Sequence, residues 1–150
     1  MAPGPDFFIS YANDANDPRW AEWIAETLTD AGYECRLQAW DFAPGTNLVL
    51  AMNEYVRDAK RLIMVLSPAY IGDRPMVNAE WSAKFIEDAD GKGRLLIPVR
   101  VRSCEVRGLL GPRVYVDLVG KTETEARRDL LDAVQPGRRR PASAPFPGIT

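Results

Sequence analysis

Apolar residues along this chain fall into short runs, separated by segments in which they recur every three to four positions. The first run, "DFFISY" at 6–11, suits a buried strand. After the turn-rich "ANDANDP", Asp17 is placed to cap a helix with Pro18 at its first position. Trp20, Ile24 and Leu28 then recur at helical spacing, Trp23 broadens the apolar face, and Gly32 closes the helix. "YECRLQ" at 33–38 reads as a second strand and "AWDFAPGTN" at 39–47 as a loop, with proline and glycine side by side. A helix is expected from about Leu48 to Asp58, with Leu48, Met52, Tyr55 and Val56 turned inward. "RLIMVLS" at 61–67 holds five consecutive apolar residues, too short a run for a helix, and is the clearest strand. "PAYIGDRP" reads as a loop, and "NAEWSAKFIEDA" at 78–89 as a helix ended by "DGKG". "RLLIPVRV" at 94–101 is a strand that Pro98 places toward an edge or its own end. "RVYVDL" at 113–118 is the last strand, and Thr122 opens a final helix with Glu125 three residues on as a capping box.

Strands and helices therefore alternate five times. Short apolar strands separated by helices imply a parallel sheet covered on both faces. The expected architecture is a flavodoxin-like, doubly wound α/β domain with five strands. Ligands of such sheets bind at the carboxyl ends of the strands. The loops there are "ANDAND", "AWDFAPGTN" and "SPAYIGDRPMVN", and the last leads to Glu80.

The length of 150 residues suits one domain, which the pattern places at 1–135. Pro136, Pro141, Pro145 and Pro147 surround the one dense basic run, Arg138-Arg139-Arg140. Residues 136–150 are thus expected to be a solvated linker to a following domain absent from this chain. The net charge of -2 becomes more negative once those arginines are set aside, so nucleic acid is not an expected partner. No apolar run reaches eighteen residues, so no membrane span is expected. The amino terminus lacks a basic-then-apolar leader, and the two cysteines, Cys35 and Cys104, stand apart, which together suggest a cytoplasmic protein with free thiols. With no histidine and no C-x-x-C, no metal site is expected.

The missing histidine also removes Ser-His-Asp and Cys-His catalysis. Neither a G-x-G-x-x-G after the first strand nor a P-loop is present. A phosphoacceptor receiver domain would want acidic residues at the end of the first strand, where this chain has Ser10 and Tyr11. Glu80 remains. It stands in the first turn of a helix that Asn78 can cap, where a carboxylate favours the positive dipole end. The same dipole would keep it ionised at the ligand edge, able to stabilise a developing cation or hold sugar hydroxyls. Spacing alone leaves both roles open and favours the cap. In "AWDFAPGTN", Asp41 and Gly45 fit a turn, yet Trp40 and Phe42 are large aromatics that suit a partner surface or a stacking platform. In "SPAY", Ser67 ends a strand and Tyr70 either packs inward or faces the cleft.

Taken in order, these pieces resemble the TIR (Toll/interleukin-1 receptor) domain, particularly its bacterial members. "DFFISYAND" is similar to the family's first-strand motif, "RWAEWIAETLTDAGYEC" to its first helix, "WDFAPGTN" to its BB loop, "RLIMVLSPAYI" to its third strand, and "NAEWSAKF" to the helix that carries a glutamate. The resemblance spans roughly residues 5–134. It implies one of two functions. Some TIR domains are non-catalytic scaffolds that recruit other TIR domains. Others cleave NAD at the nicotinamide–ribose bond, using a glutamate that maps onto Glu80, with NAD as substrate and no cofactor. The products would be nicotinamide and ADP-ribose or a cyclic ADP-ribose, in bacterial antiphage or immune signalling.

Under the enzymatic reading, Ser10, Tyr11 and the loop to Asp14 would line the cleft beside Glu80. Ser67 and Tyr70 would border it, and Trp40, Asp41, Phe42 and Gly45 would come from the mobile loop. Self-association would run through residues 39–47. Two departures from the family pattern bear on substrate contacts: Met76 stands where many catalytic members have tryptophan, and Ala12 where arginine or lysine often follows the "SY". The nucleoside deoxyribosyltransferases, which also use a glutamate on an N-glycosidic bond, are a more distant enzymatic resemblance. The tail "RRRPASAPFPG" is similar to linkers of multidomain proteins in which a TIR domain precedes an NTPase module and tetratricopeptide repeats.

Overall fold

The computed structural model describes residues 4–12, 16–41, 43–71, 95–105, 115–135 and 147–148, the side chains of Leu48, Val49, Met52, Asn53 and Val56 excepted. Five parallel strands form one sheet: β1 (Phe7–Ser10), β2 (Cys35–Leu37), β3 (Arg61–Leu66), β4 (Leu96–Arg100) and β5 (Val116–Asp117). Their order is β2-β1-β3-β4-β5. Helices α1 (Asp17–Asp30) and α3 (Leu48–Asp58) follow β1 and β2, and α5 (Glu123–Val134) follows β5. Two single turns, α2 (Gln38–Asp41) and α4 (Pro68–Ile71), follow β2 and β3 directly. This is the doubly wound α/β sheet that the alternation predicts.

The two-residue period of each strand sorts its side chains between two cores. Phe7, Ile9, Ile63, Val65, Ile97 and Val99 turn to one face, where Ile24 and Leu28 of α1 and Leu130 and Val134 of α5 cover them. Phe8, Leu62, Met64, Leu66 and Leu96 turn to the other, with Ala59, Tyr70 and, from α3, Tyr55. Phe8 stacks on Tyr55 at 5.7 Å between ring centroids. Burial on both faces explains why β1 and β3 read as unbroken apolar runs.

Several boundaries differ from the sequence reading, each for a local reason. The second strand ends at Leu37, because Asp41 folds back and its Oδ2 accepts a hydrogen bond from the Leu37 amide at 2.9 Å. That bond closes the Gln38–Asp41 turn inside the expected loop. Asn47 caps α3 by accepting from the Leu50 amide. The cap position of α1 is Asn16, whose side chain makes no cap bond, and Asp17 lies inside the first turn, fully buried. Gly32 ends α1 with φ +100, the left-handed value that glycine tolerates. β4 is an interior strand, not an edge. Its odd-numbered residues bond toward β3, as Leu62 N to Leu95 O and Val101 N to Leu66 O show, while Arg100 O accepts from Leu118 N on the β5 side. Pro98 therefore turns its missing N–H toward β5, whose pairing starts only at Val99 and Val116, so the β3 ladder loses nothing.

The capping box at Thr122 forms as expected: Thr122 Oγ1 accepts from the Glu125 amide, and Glu125 Oε1 accepts from the Thr122 amide. At the other end of α5, Arg61 of β3 donates to the Val134 carbonyl at 2.5 Å and lies over the Phe7 ring. Arg100 holds Asp117 through two nitrogens at 3.2 and 2.8 Å, tying the carboxyl ends of β4 and β5. The helix expected over 78–89, the start of the last strand at 113–114, the inward set Leu48, Met52 and Val56, and the linker apart from 147–148 lie outside what is described.

Candidate functional site

The chain runs from β1 out to β2 at one edge, then returns past β1 to begin β3 on its other side. This reversal is a topological switch point. In doubly wound sheets the carboxyl ends of the strands at such a point are where ligands bind. Ser10 is the last residue of β1, and Ser67 directly follows β3. The register confirms that they lie at the same edge, with Ser10 beside Met64.

Both serines are buried, and their hydroxyls join one polar chain. Tyr70 Oη donates to Ser10 Oγ at 3.0 Å. The Tyr70 amide donates to Ser67 Oγ at 3.2 Å, and Ser67 Oγ donates to Asp17 Oδ2 at 2.5 Å. Arg102, just past β4, reaches Asp17 Oδ1 at 3.5 Å. Asp17 and Ser67 are both 0% exposed, whereas the Arg102 side chain is 39% exposed. A buried carboxylate requires such partners, since burial without them costs several kcal/mol in rough terms.

Ser10, Ser67 and Tyr70, read from the sequence as residues of the cleft, lie buried inside the fold, with Tyr70 bonded to both serines. Asp17 and Arg102 join them unforeseen. Asp17 read as a helix cap, and only the packing of α1 against the end of β3 gives it another role.

Tyr11 and Asp41 belong to a neighbouring cluster. Tyr11 Oη accepts from the Ala39 amide at 3.1 Å, joining the loop after β1 to the α2 turn. Burial raises the Tyr11 phenol above its ordinary value; the bond from Ala39 opposes the rise, and Glu22 adds to it. Asp41 is occupied by the Leu37 amide and has Arg36 Nε at 3.7 Å, so it anchors the turn. Trp40, between them, stays 48% exposed, and Gly45 takes φ +91 in the connection to α3. Glu80, Asp14 and Phe42, with Met76, lie outside the described residues.

A concavity of about 360 Å³ lies between the first turns of α1 and α5. Trp20 and Trp23, edge to face at 5.9 Å, form its wall with Arg19 and Lys121. Both tryptophans are only partly buried against the core, so the apolar face of α1 extends beyond what the sheet covers. Among the described residues, no cluster of three or more potential ligands could hold a metal ion, and no helix is long and apolar enough to cross a membrane.

The TIR domain family profile matches residues 7–131, from the first residue of β1 into α5. The chain belongs to the TIR domain family. Solved structures agree on the fold. The TIR domain of the Toll-related receptor TRR-2 from Hydra magnipapillata superposes with a TM-score of 0.59 at 23% identity, covering 85% of this chain and 92% of that one. A TIR-STING receptor from C. gigas, solved in complex with 2',3'-cGAMP, superposes with a TM-score of 0.67 at 24% identity. That match covers 89% of this chain and 40% of the receptor chain, so this chain spans less than half of the length of that one. A prokaryotic SEFIR domain reaches a TM-score of 0.59 at 15% identity, covering 84% of this chain and 93% of that one. No curated protein sequence matches the chain.

Proposed function

We propose that this TIR domain cleaves NAD at the nicotinamide–ribose bond, with Glu80 as the catalytic carboxylate. The observation that carries the reading is the strand order, which puts a topological switch point between β1 and β3. There Ser10 closes β1, and Ser67 heads the segment that leads in sequence to Glu80. The chemistry asks little of the protein. As the bond between the ribose C1′ and the ring nitrogen breaks, its electron pair passes to the pyridinium nitrogen and nicotinamide leaves neutral, without acid assistance. The ribose becomes oxocarbenium-like, and one carboxylate can stabilise that charge and accept hydrogen bonds from the ribose hydroxyls. Water then attacks C1′ and loses a proton, giving ADP-ribose; attack by a group of the same molecule gives a cyclic product instead. A single glutamate suffices, so a chain without histidine can do this.

Ser10, Ser67 and Tyr70 would frame the cleft, Tyr11 and Asp41 would hold the loop beside it, and Trp40, Phe42 and Gly45 would close it from the α2–α3 connection. Asp14 would border the nucleotide. The test is nicotinamide release from NAD by concentrated protein, with Glu80→Gln alongside. The variant is expected to keep the wild-type far-ultraviolet spectrum and to lose turnover by at least about a hundredfold. Turnover retained in the folded variant would sink the assignment.

A second reading, a non-catalytic TIR–TIR scaffold, draws on the exposure of Trp40 and of Leu50, 61% exposed, on either side of the connection from α2 to α3. Such surfaces suit a neighbouring copy. A scaffold would assemble and release no nicotinamide at any concentration.

A further inference from the structure

We infer that Asp17 is a positioning residue for the carboxyl-edge site, acting through Ser67 and Arg102 to hold three chain segments in one fixed relation. This rests on the enzymatic reading of the site in its kinetic arm, and on geometry alone in its other arm.

The three segments are the start of α1, the Ser67–Ile71 turn after β3, and the stretch after β4. The sheet ladder joins the last two only at their start, where Val101 N donates to Leu66 O, and the start of α1 takes no part in it. Asp17 bridges them: Oδ2 accepts from Ser67 Oγ at 2.5 Å, and Oδ1 faces Arg102 Nη1 at 3.5 Å. A carboxylate only accepts, so it orients its neighbour. The Ser67 hydroxyl proton is committed to Asp17, and the serine oxygen is left to accept from the Tyr70 amide at 3.2 Å. The Ser67–Ile71 turn is thereby latched through its own backbone, and Tyr70 carries the latch to Ser10 at the end of β1.

Stability does not account for this arrangement. A fully buried carboxylate with a partner that is 39% exposed gains little over an apolar residue of similar size, because desolvation offsets the attraction. What it supplies is a unique geometry at the ligand edge. Displacing a reacting group by about 1 Å can cost on the order of a hundredfold in rate. The segment latched at Ser67 is the one whose sequence runs on to Glu80.

The experiment compares Ser67→Ala, Arg102→Gln, Arg102→Lys, the double variant Ser67→Ala/Arg102→Gln, and Asp17→Asn, all in the full chain. Ser67→Ala removes one hydroxyl and leaves Asp17 paired with Arg102, so it is the variant best able to fold. Steady-state NAD cleavage well below each thermal midpoint should show kcat lowered about tenfold in Ser67→Ala and in Arg102→Gln, with KM within about threefold of wild type. The double variant should be no worse than the larger single one, since both act through Asp17. Arg102→Lys should restore most of the rate. Amide hydrogen exchange gives a readout that does not depend on catalysis. Ser67→Ala should speed exchange in residues 103–105, beyond the Val101–Leu66 ladder bond, and Arg102→Gln should speed exchange at Tyr70. Wild-type kcat in both folded single variants, or exchange changes confined to the mutated segment, would overturn the inference. If wild-type protein releases no nicotinamide, the enzymatic reading fails by itself and the exchange arm alone decides the positioning role.

Discussion

Cys35 illustrates how far a single side chain follows its surroundings. It faces the α1 side of the sheet within the core, and that burial pushes its thiol up to about 11 from an ordinary value of 9.0, with a bond from Thr29 acting in the opposite direction. An acid whose folded value is raised holds its proton more tightly in the native state. Its contribution is fully present below pH 9 and is lost as pH rises toward 11. Native protein should therefore lose stability across that window, by at most about 3 kcal/mol from this group. Cys35→Ala should flatten the alkaline limb, measured as urea-unfolding free energy at pH 8 and pH 10.5. Identical slopes in the two proteins would mean that the thiol titrates equally in both states. Asp41 carries a similar lesson without titration. It read as a loop contact, yet its carboxylate is engaged by the Leu37 amide, so its first duty is to end β2.

Among the elements, α5 is the most legible, because its signals are local. The Thr122 hydroxyl and the Glu125 carboxylate satisfy each other's amides, as the three-residue spacing predicts. Those bonds hold the Glu125 carboxyl below the usual carboxylate range, first through the Thr122 amide and then through its hydroxyl. A lowered value means that this contribution is present above the ordinary pKa of the carboxyl and lost as pH falls through the lowered one. Thr122→Ala should lower the thermal midpoint by about 3 °C at neutral pH. That difference should shrink in acid, where the protonated Glu125 no longer supports the box. An unchanged midpoint at pH 7 would show that α5 is held by its packing of Leu130 and Val134 alone. In α1, by contrast, the strong proline-and-acid start misleads. The acid nearest the proline is drawn into the interior by Ser67, 50 positions away.

At the scale of the whole molecule, the carboxyl edge carries both the buried polar chain and the exposed connection with Trp40 and Gly45. A crevice completed by a neighbouring copy would make activity a population effect, in which the competent fraction scales the apparent rate. Specific activity in NAD cleavage should rise with protein concentration. Trp40→Ala and Gly45→Glu should blunt that rise while leaving the far-ultraviolet spectrum unchanged; Gly45 sits at φ +91, a strained angle for any other residue, so its variant should also alter the loop. Constant specific activity across a wide dilution series would remove assembly from the account.

The sequence by itself determined the sheet. Apolar runs of four to six residues bounded by turn signals suit strands covered on both faces, and their alternation with helices suits a parallel winding. It also determined the cap of α5, the glycine stop of α1, and which loops reach the ligand edge, since all of these depend on neighbours a few residues apart. Strand order, and with it the position of the switch point between β1 and β3, came from tertiary structure. So did the interior place of β4: Pro98 tells that an N–H is missing, but not which side of the strand it would have faced. The network at the site was decided the same way. Asp17 and Arg102 alone are 85 positions apart, and no local pattern records that a carboxylate at one helix start meets a serine after one strand and an arginine after another. Periodicity reports which side of an element is buried. Only packing decides what lies against it, and a buried polar group takes its role from whatever that is.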